Sequence, residues 1–147
     1  MSIAQINKLF PLYNKGIIFT YGEKMNTKIL VVDDNKSVCE IYKTMLTGQG
    51  YDTKSSETGQ EALDLLSKEG FDLILLDIMM PEMDGLHILD IIKANTDYED
   101  VKVIMLTALG DEHIKKAAEK YGASDYIVKS EHDMKDVLEI ISKVLSK

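Results

Sequence analysis

From residue 25 onward, the sequence alternates between short apolar segments and longer segments whose apolar residues recur at helical spacing. Four of the short segments are almost entirely apolar, and Tyr51–Ser55 is a fifth, weaker strand candidate. These four are Ile29–Val32, Leu73–Leu76, Val103–Leu106 and Tyr126–Val128. Strands that are apolar on both faces are typical of parallel sheets with helices on both sides. The sequence therefore predicts an α/β fold, a doubly wound five-stranded parallel sheet, over residues 25–147.

Charge and composition exclude several classes of protein. The formal net charge is −8, and all 17 basic residues are lysines. An acidic chain without clustered basic residues binds phosphates poorly, so we expect no direct nucleic-acid partner. No apolar run reaches the ~18 residues of a membrane-spanning helix, so we expect no membrane insertion. The single cysteine, Cys39, cannot form an internal disulfide, which is typical of a cytoplasmic protein.

Residues 1–24 differ from the rest of the chain. They contain three lysines against one glutamate, and no helical or strand periodicity extends far along them. A clean strand pattern opens at Met25. We therefore interpret residues 1–24 as a disordered leader or a mis-assigned start that precedes the folded domain.

Two pairs of residues resemble capping boxes. Thr58 stands three residues before Glu61, and Ser130 stands three residues before Asp133. This spacing predicts that one helix begins just after Thr58 and another just after Ser130.

Polar or charged residues stand at the carboxyl ends of four predicted strands. Asp33 and Asp34 follow the first strand, Asp77 the third, Thr107 the fourth and Lys129 the fifth. These strand ends meet at one edge of a parallel sheet, where such folds bind their ligands. Three carboxylates in one crevice repel each other unless a cation lies between them, and hard oxygen ligands select Mg²⁺ or Mn²⁺. A lysine and a hydroxyl beside them suit a phosphoryl group, which a carboxylate nucleophile can accept.

Longer stretches around these residues resemble a known family. The resemblance lies in Leu30–Asp34, Leu75–Gly85, Met105–Ala108 and Gly122–Lys129. Over residues 27–146 the chain is similar to the receiver domain of two-component response regulators, in particular to the single-domain regulators of chemotaxis and sporulation relays. This resemblance implies a flavodoxin-like fold with strand order 2-1-3-4-5.

The resemblance also implies roles for residues at the sheet edge. Asp77 matches the phosphoacceptor, which also ligates Mg²⁺. Asp33 and Asp34 match the acidic pair that holds the metal, and the Met79 backbone carbonyl matches the third protein ligand. Lys129 matches the lysine that pairs with a phosphoryl oxygen.

Three more positions match residues of the family: Ala108 and Thr107 match groups that contact the phosphoryl group, and Thr107 and Tyr126 match the conformational switch. The Ala108 N–H would approach the phosphoryl group, the Thr107 hydroxyl would move toward it, and Tyr126 would turn inward behind Thr107. The implied function is a stand-alone receiver that accepts its phosphoryl group from a sensor histidine kinase or a histidine phosphotransfer protein. A population shift would then signal to an unidentified protein target. The last predicted helix reaches Lys147, so we expect no output domain. The resemblance implies a signalling switch that catalyses its own phosphorylation and dephosphorylation, and not a turnover enzyme.

The chain departs from the family pattern at two places. Ser130 follows Lys129 where family members commonly have proline after a cis peptide bond. Met79 and Leu109 are apolar where other receivers often carry polar groups that orient a hydrolytic water. The second departure predicts slow self-dephosphorylation.

Sheets of this kind also serve other functions, and the residues at the strand ends bear on each of them. An aspartate-nucleophile phosphohydrolase usually needs a second acid two residues after Asp77, where Met79 stands. A flavodoxin-like electron carrier needs a phosphate loop rich in Ser, Thr and Gly, but Asp33 and Asp34 would repel a flavin phosphate there. A receiver-like interaction module that works without phosphorylation is the remaining alternative.

Overall fold

The computed structural model describes residues 26–147, and the leader predicted for residues 1–24 lies outside them. Within the described residues, five strands alternate with five α-helices. The strands are β1 (Lys28–Val32), β2 (Asp52–Ser56), β3 (Leu73–Leu76), β4 (Lys102–Thr107) and β5 (Asp125–Val128). The helices are α1 (Lys36–Gly48), α2 (Gly59–Lys68), α3 (Gly85–Ala94), α4 (Glu112–Lys120) and α5 (Met134–Leu145), with 3₁₀ turns at Thr96–Tyr98 and Lys129–Glu131.

All strand pairs are parallel, and their order is β2-β1-β3-β4-β5, so the predicted fold class is confirmed. The chain runs from β1 outward to β2 and then returns to the other side of β1, which places the topological switch point between β1 and β3. Val32 pairs with Leu76 across these two strands. Asp33 and Asp77, the next residues of each strand, therefore leave the sheet side by side.

Alternate residues of the inner strands point to opposite faces of the sheet, so each strand contributes to two cores. On one face, Leu30, Ile74 and Met105 are buried with apolar residues of α2, α3 and α4. On the other face, Ile29 and Leu75 are buried with apolar residues of α1 and α5. This burial on both sides fixes the strands and therefore holds their carboxyl ends on a rigid platform.

Capping residues determine where the helices begin, and one of the two predicted starts is correct. The Thr58 hydroxyl accepts a hydrogen bond from the Glu61 N–H at 3.1 Å and caps α2 as predicted. The predicted start just after Ser130 is wrong, because Asp133 caps α5 and forms a capping box with Asp136. Serine and aspartate are both good capping residues, so the sequence pattern alone does not choose between Ser130 and Asp133.

Candidate functional site

Three carboxylates meet at the carboxyl edge of the sheet. Oxygen atoms of Asp33, Asp34 and Asp77 all lie within 4.8 Å of one another. Asp33 and Asp77 are buried, whereas Asp34 is exposed and opens the cluster to solvent. The Asp77 N–H donates to the Val32 carbonyl at 2.9 Å, which holds the end of β3 beside the end of β1. The parallel pairing of these two strands is therefore what brings the three aspartates together.

Both carboxylate oxygens of Asp33 accept hydrogen bonds within the chain. Oδ1 accepts the Asn35 N–H at 2.9 Å. Oδ2 accepts the Lys129 ammonium at 2.5 Å, in an ion pair whose lysine side chain is 23% exposed. Lys129 opens a 3₁₀ turn, and all peptide bonds of residues 26–147 are trans, including the bond to Ser130. The lysine at the end of β5 thus reaches the cluster through Asp33.

The surroundings of Asp77 disfavour the charged form of its carboxyl group. Burial raises its pKa above the usual value, and the negative charges of Asp33 and Asp34 act in the same direction. The Lys129 charge and the Ile78 N–H, which donates to Oδ1 at 2.8 Å, oppose this rise in the pKa. Within residues 26–147 no donor bonds the other oxygen, Oδ2, which is consequently the oxygen best placed to react or to ligate a cation.

Thr107 and Tyr126 are connected through the backbone of Leu109. The hydroxyl of Thr107, which is fully buried, accepts the Leu109 N–H at 3.2 Å. The hydroxyl of half-buried Tyr126 donates to the Leu109 carbonyl at 2.5 Å. Burial raises the pKa of Tyr126, and the charge of Asp111 adds to that rise, so the phenol stays a donor at neutral pH. Ala108, which lies between Thr107 and Leu109, is exposed at the same edge.

The loop between β3 and α3 passes very close to the backbone of Asp77. The Gly85 N–H donates to the Ile78 carbonyl at 2.8 Å, and a Cβ built on Gly85 would lie 2.0 Å from the Asp77 carbonyl oxygen. Glycine is therefore required here for lack of space. The Met79 side chain lies on this loop and is 62% exposed.

Sequence reasoning identified the side chains of this site but not the contacts between them. It predicted that Lys129 pairs with a phosphoryl oxygen, which stays a prediction, and it did not predict the ion pair between Lys129 and Asp33. It treated Leu109 only as an apolar neighbour, whereas its backbone N–H and carbonyl join Thr107 to Tyr126. Backbone groups are the same in every residue type, so no side-chain pattern could have revealed this link.

The donor set fits a hard divalent cation. Carboxylate oxygens without histidine or thiolate are the ligands that Mg²⁺ and Mn²⁺ prefer. Among residues 26–147, Asp33, Asp34 and Asp77 form the one group of three potential side-chain ligands that approach closely enough. Three negative charges against the single charge of Lys129 also leave an excess that a divalent cation would balance.

No helix within the described part of the chain is long and apolar enough to cross a membrane.

Comparisons with known proteins agree with this geometry. Residues 29–142 match the response regulator receiver domain family. Sporulation initiation phosphotransferase F of Bacillus subtilis is 34% identical over 121 residues, which is 82% of this chain and 95% of that protein. The probable transcriptional regulator ycf27 of Guillardia theta is 42% identical over 102 residues, but the match covers 69% of this chain and 39% of that protein. The chain thus corresponds to about two fifths of the length of such regulators.

A solved structure extends the comparison to the bound state of a relative. The response regulator protein TrrA of Thermotoga maritima, in complex with Mg(2+)-BeF, is 34% identical to this chain and has a TM-score of 0.71. The match covers 80% of this chain and 98% of that one. Receiver domains bind Mg²⁺ at an acidic pocket, which is the kind of cluster found here at the end of β1 and β3. By its matched family, its strand order and its acidic strand ends, the chain belongs to the response regulator receiver domains.

Proposed function

We propose that this chain is a phospho-receiver: Asp77 accepts a phosphoryl group from a phosphohistidine protein in a Mg²⁺-dependent reaction. The observation that supports this most strongly is the convergence of Asp33, Asp34 and Asp77 within 4.8 Å, with Lys129 bonded to one of them. The donor would be a sensor histidine kinase or a histidine phosphotransfer protein, as in other members of the family. The chain would act as a cytoplasmic signalling switch and not as a turnover enzyme.

The proposed chemistry needs one nucleophile and several fixed charges. As an Asp77 oxygen bonds to phosphorus, the phosphorus–nitrogen bond of the phosphohistidine breaks and the imidazole leaves. Lys129 would then neutralise charge on a phosphoryl oxygen, and the Ala108 N–H would donate to another. Mg²⁺ held by Asp33, Asp34, Asp77 and the Met79 carbonyl would supply the remaining positive charge.

The contacts of Thr107 suggest how phosphorylation would be read by a partner. If the Thr107 hydroxyl turned toward a phosphoryl oxygen, the Leu109 N–H would lose its present acceptor. The segment around Leu109 would then rearrange, and the hydrogen bond from Tyr126 to the Leu109 carbonyl would change with it. A shift between two such arrangements is the signal that we propose for the protein target.

Beryllofluoride, a stable phosphoryl mimic, tests this switch. With Mg²⁺ present, it is expected to shift the amide signals of Thr107, Leu109 and Tyr126 in ¹H–¹⁵N spectra of the wild type. The same addition should leave the spectrum of Asp77→Asn unchanged, because the mimic needs the carboxylate oxygen. Shifts that stay next to Asp77 and do not reach Leu109 and Tyr126 would contradict the proposed route of the signal.

Met79 is expected to keep the phosphoryl group long-lived. Its exposed side chain has no hydrogen-bond donor and only a weakly accepting sulfur, so it cannot orient a hydrolytic water as a polar side chain does. Met79→Asn should therefore hydrolyse faster, by about fivefold if the new hydrogen bond contributes ~1 kcal/mol in the transition state. The decay of phosphorylated protein is followed by intact mass. Met134→Asn, at an exposed methionine that begins α5, is the matched control and should decay like the wild type. A wild-type half-life of seconds would contradict the role of Met79.

A further inference from the structure

A cavity of about 420 Å³ lies at the amino edge of the sheet, at the opposite end of the strands from the aspartate cluster. It is bounded by the residues between α2 and β3 and by those that lead into β4. Among the residues that line it, Leu66, Phe71 and Val101 are buried and apolar, and Tyr98 is half-buried. This amino-edge cavity therefore offers an apolar surface to a partner.

Acidic residues flank this apolar surface. Asp97 and Asp100 are exposed and line the cavity, and Glu99 is exposed between them in the sequence. Within residues 26–147, none of these three carboxylates forms an ion pair with a basic side chain. Of the described residues that line the cavity, only Lys68 is basic. The cavity therefore favours a partner with basic residues beside apolar ones, because opposite charges attract across an interface.

The chain enters the domain beside this cavity. The Lys28 N–H, at the start of β1, donates to Oδ2 of Asp72 at 2.8 Å. The Lys28 ammonium lies 3.8 Å from Oε1 of Glu69, which lines the cavity. Residues 1–24, which lie outside the described part of the chain, therefore join the domain next to the amino-edge cavity. An extended chain spans about 3.3 Å per residue, so a segment more than about ten residues before Lys28 is still within reach of the cavity.

Residues 1–24 contain one segment of matching composition. Lys8–Lys15 has a lysine at each end, and between them stand four large apolar or aromatic residues, Leu9, Phe10, Leu12 and Tyr13. We propose that Lys8–Lys15 docks in the amino-edge cavity, with its lysines beside Asp97 and Asp100. Burial of its apolar side chains and attraction between opposite charges both favour this contact. The inference goes beyond the proposed function, because the cavity lies at the other edge of the sheet from Asp77 and docking needs neither Mg²⁺ nor a phosphoryl group.

Paramagnetic broadening tests the contact in the full-length chain. A nitroxide is attached either to Glu99→Cys, between two residues that line the cavity, or to Glu40→Cys, at an exposed position of α1 on the other face of the sheet. Each variant loses one negative charge, and the native Cys39 is buried. The label at position 99 is expected to remove most of the amide signal intensity of Lys8–Lys15, whereas the label at position 40 should leave that intensity unchanged.

A mixed sample shows whether docking occurs within one chain. Wild type labelled with ¹⁵N is combined with spin-labelled Glu99→Cys protein at natural isotope abundance. Docking within one chain leaves the wild-type signals of Lys8–Lys15 at full intensity. Broadening in this sample would show that the cavity takes the segment of a second copy, and it would overturn docking within one chain.

Two aromatic variants test the contact without a label. Phe10→Ala should shift the amide signals of Phe71 and Val101, which line the cavity, relative to the wild type. Phe19→Ala removes the same ring outside Lys8–Lys15 and should leave both signals in place. Equal broadening from the two labels, or Phe71 and Val101 signals that Phe10→Ala leaves unchanged, would overturn the proposal.

Discussion

Asp77→Asn is expected to abolish phosphorylation by acetyl phosphate, a small donor that needs no partner protein. In the presence of Mg²⁺, the wild type should gain the mass of one phosphoryl group, and the variant should gain none. An amide has no carboxylate oxygen to attack phosphorus, and no other carboxylate of the cluster combines the burial of Asp77 with an oxygen that lacks a donor among residues 26–147. Intact-mass measurement gives the modified fraction directly.

Two controls test whether phosphorylation is specific to Asp77 and whether it requires a divalent cation. Asp64→Asn, at an exposed aspartate on α2, should be phosphorylated like the wild type. Removal of divalent cations with EDTA should prevent modification of the wild type. A phosphoryl mass that persists in Asp77→Asn would place the acceptor elsewhere. A wild type that stays unmodified with Mg²⁺ would favour the alternative of an interaction module that works without phosphorylation.

The loss of activity in Asp77→Asn should not come from loss of the fold. Burial raises the pKa of Asp77, so the folded state binds its proton more readily than the unfolded state does. The free energy of unfolding of the wild type therefore falls as pH rises from the usual carboxyl range through the raised pKa of Asp77. Above that pKa, the folded state bears the full penalty of a charged Asp77. The variant avoids this penalty, so without cations at pH 7 we expect it to be more stable than the wild type. Thermal unfolding should show this gain shrinking at low pH.

The fold could be predicted from the sequence because fully apolar strand segments alternate regularly with segments whose apolar residues recur at helical spacing. Residues such as Leu30 and Ile74 are buried on one face while Ile29 and Leu75 are buried on the other, so inner strands must be apolar throughout. That pattern predicts a parallel sheet, and a parallel sheet collects its strand ends at one edge. The positions of Asp33 and Asp77 then follow from topology alone.

What the sequence could not predict depends on distances of a few ångströms. Lys129 is long enough to reach more than one carboxylate, and only the three-dimensional arrangement shows that it bonds Asp33. Ser130 and Asp133 are both good capping residues, and the local pattern does not reveal that Ser130 lies in a 3₁₀ turn while Asp133 caps α5. The need for glycine at position 85 likewise comes from a close approach between backbone segments and leaves no periodic signal.

Gly85→Ala is expected to be the most destabilising single-methyl change at the site. The added Cβ would lie 2.0 Å from the Asp77 carbonyl oxygen and 2.8 Å from the Ile78 Cα, and both atoms belong to the backbone. Neither can move away by a side-chain rotation, so the start of α3 must shift and the hydrogen bond from the Gly85 N–H to the Ile78 carbonyl must break. We expect a loss of about 3 kcal/mol in the free energy of unfolding, measured with urea.

Gly70→Ala is the matched control, because it adds the same methyl group where nothing lies within 4 Å. Its stability should stay within about 0.5 kcal/mol of the wild type, or rise slightly, since alanine restricts the unfolded chain more than glycine does. Because the displaced atoms belong to Asp77 and its neighbour, any Gly85→Ala protein that still folds should also bind Mg²⁺ and accept phosphate poorly. Equal stability of the two variants would show that the loop relaxes freely, and the close approach at Gly85 would not be what positions Asp77.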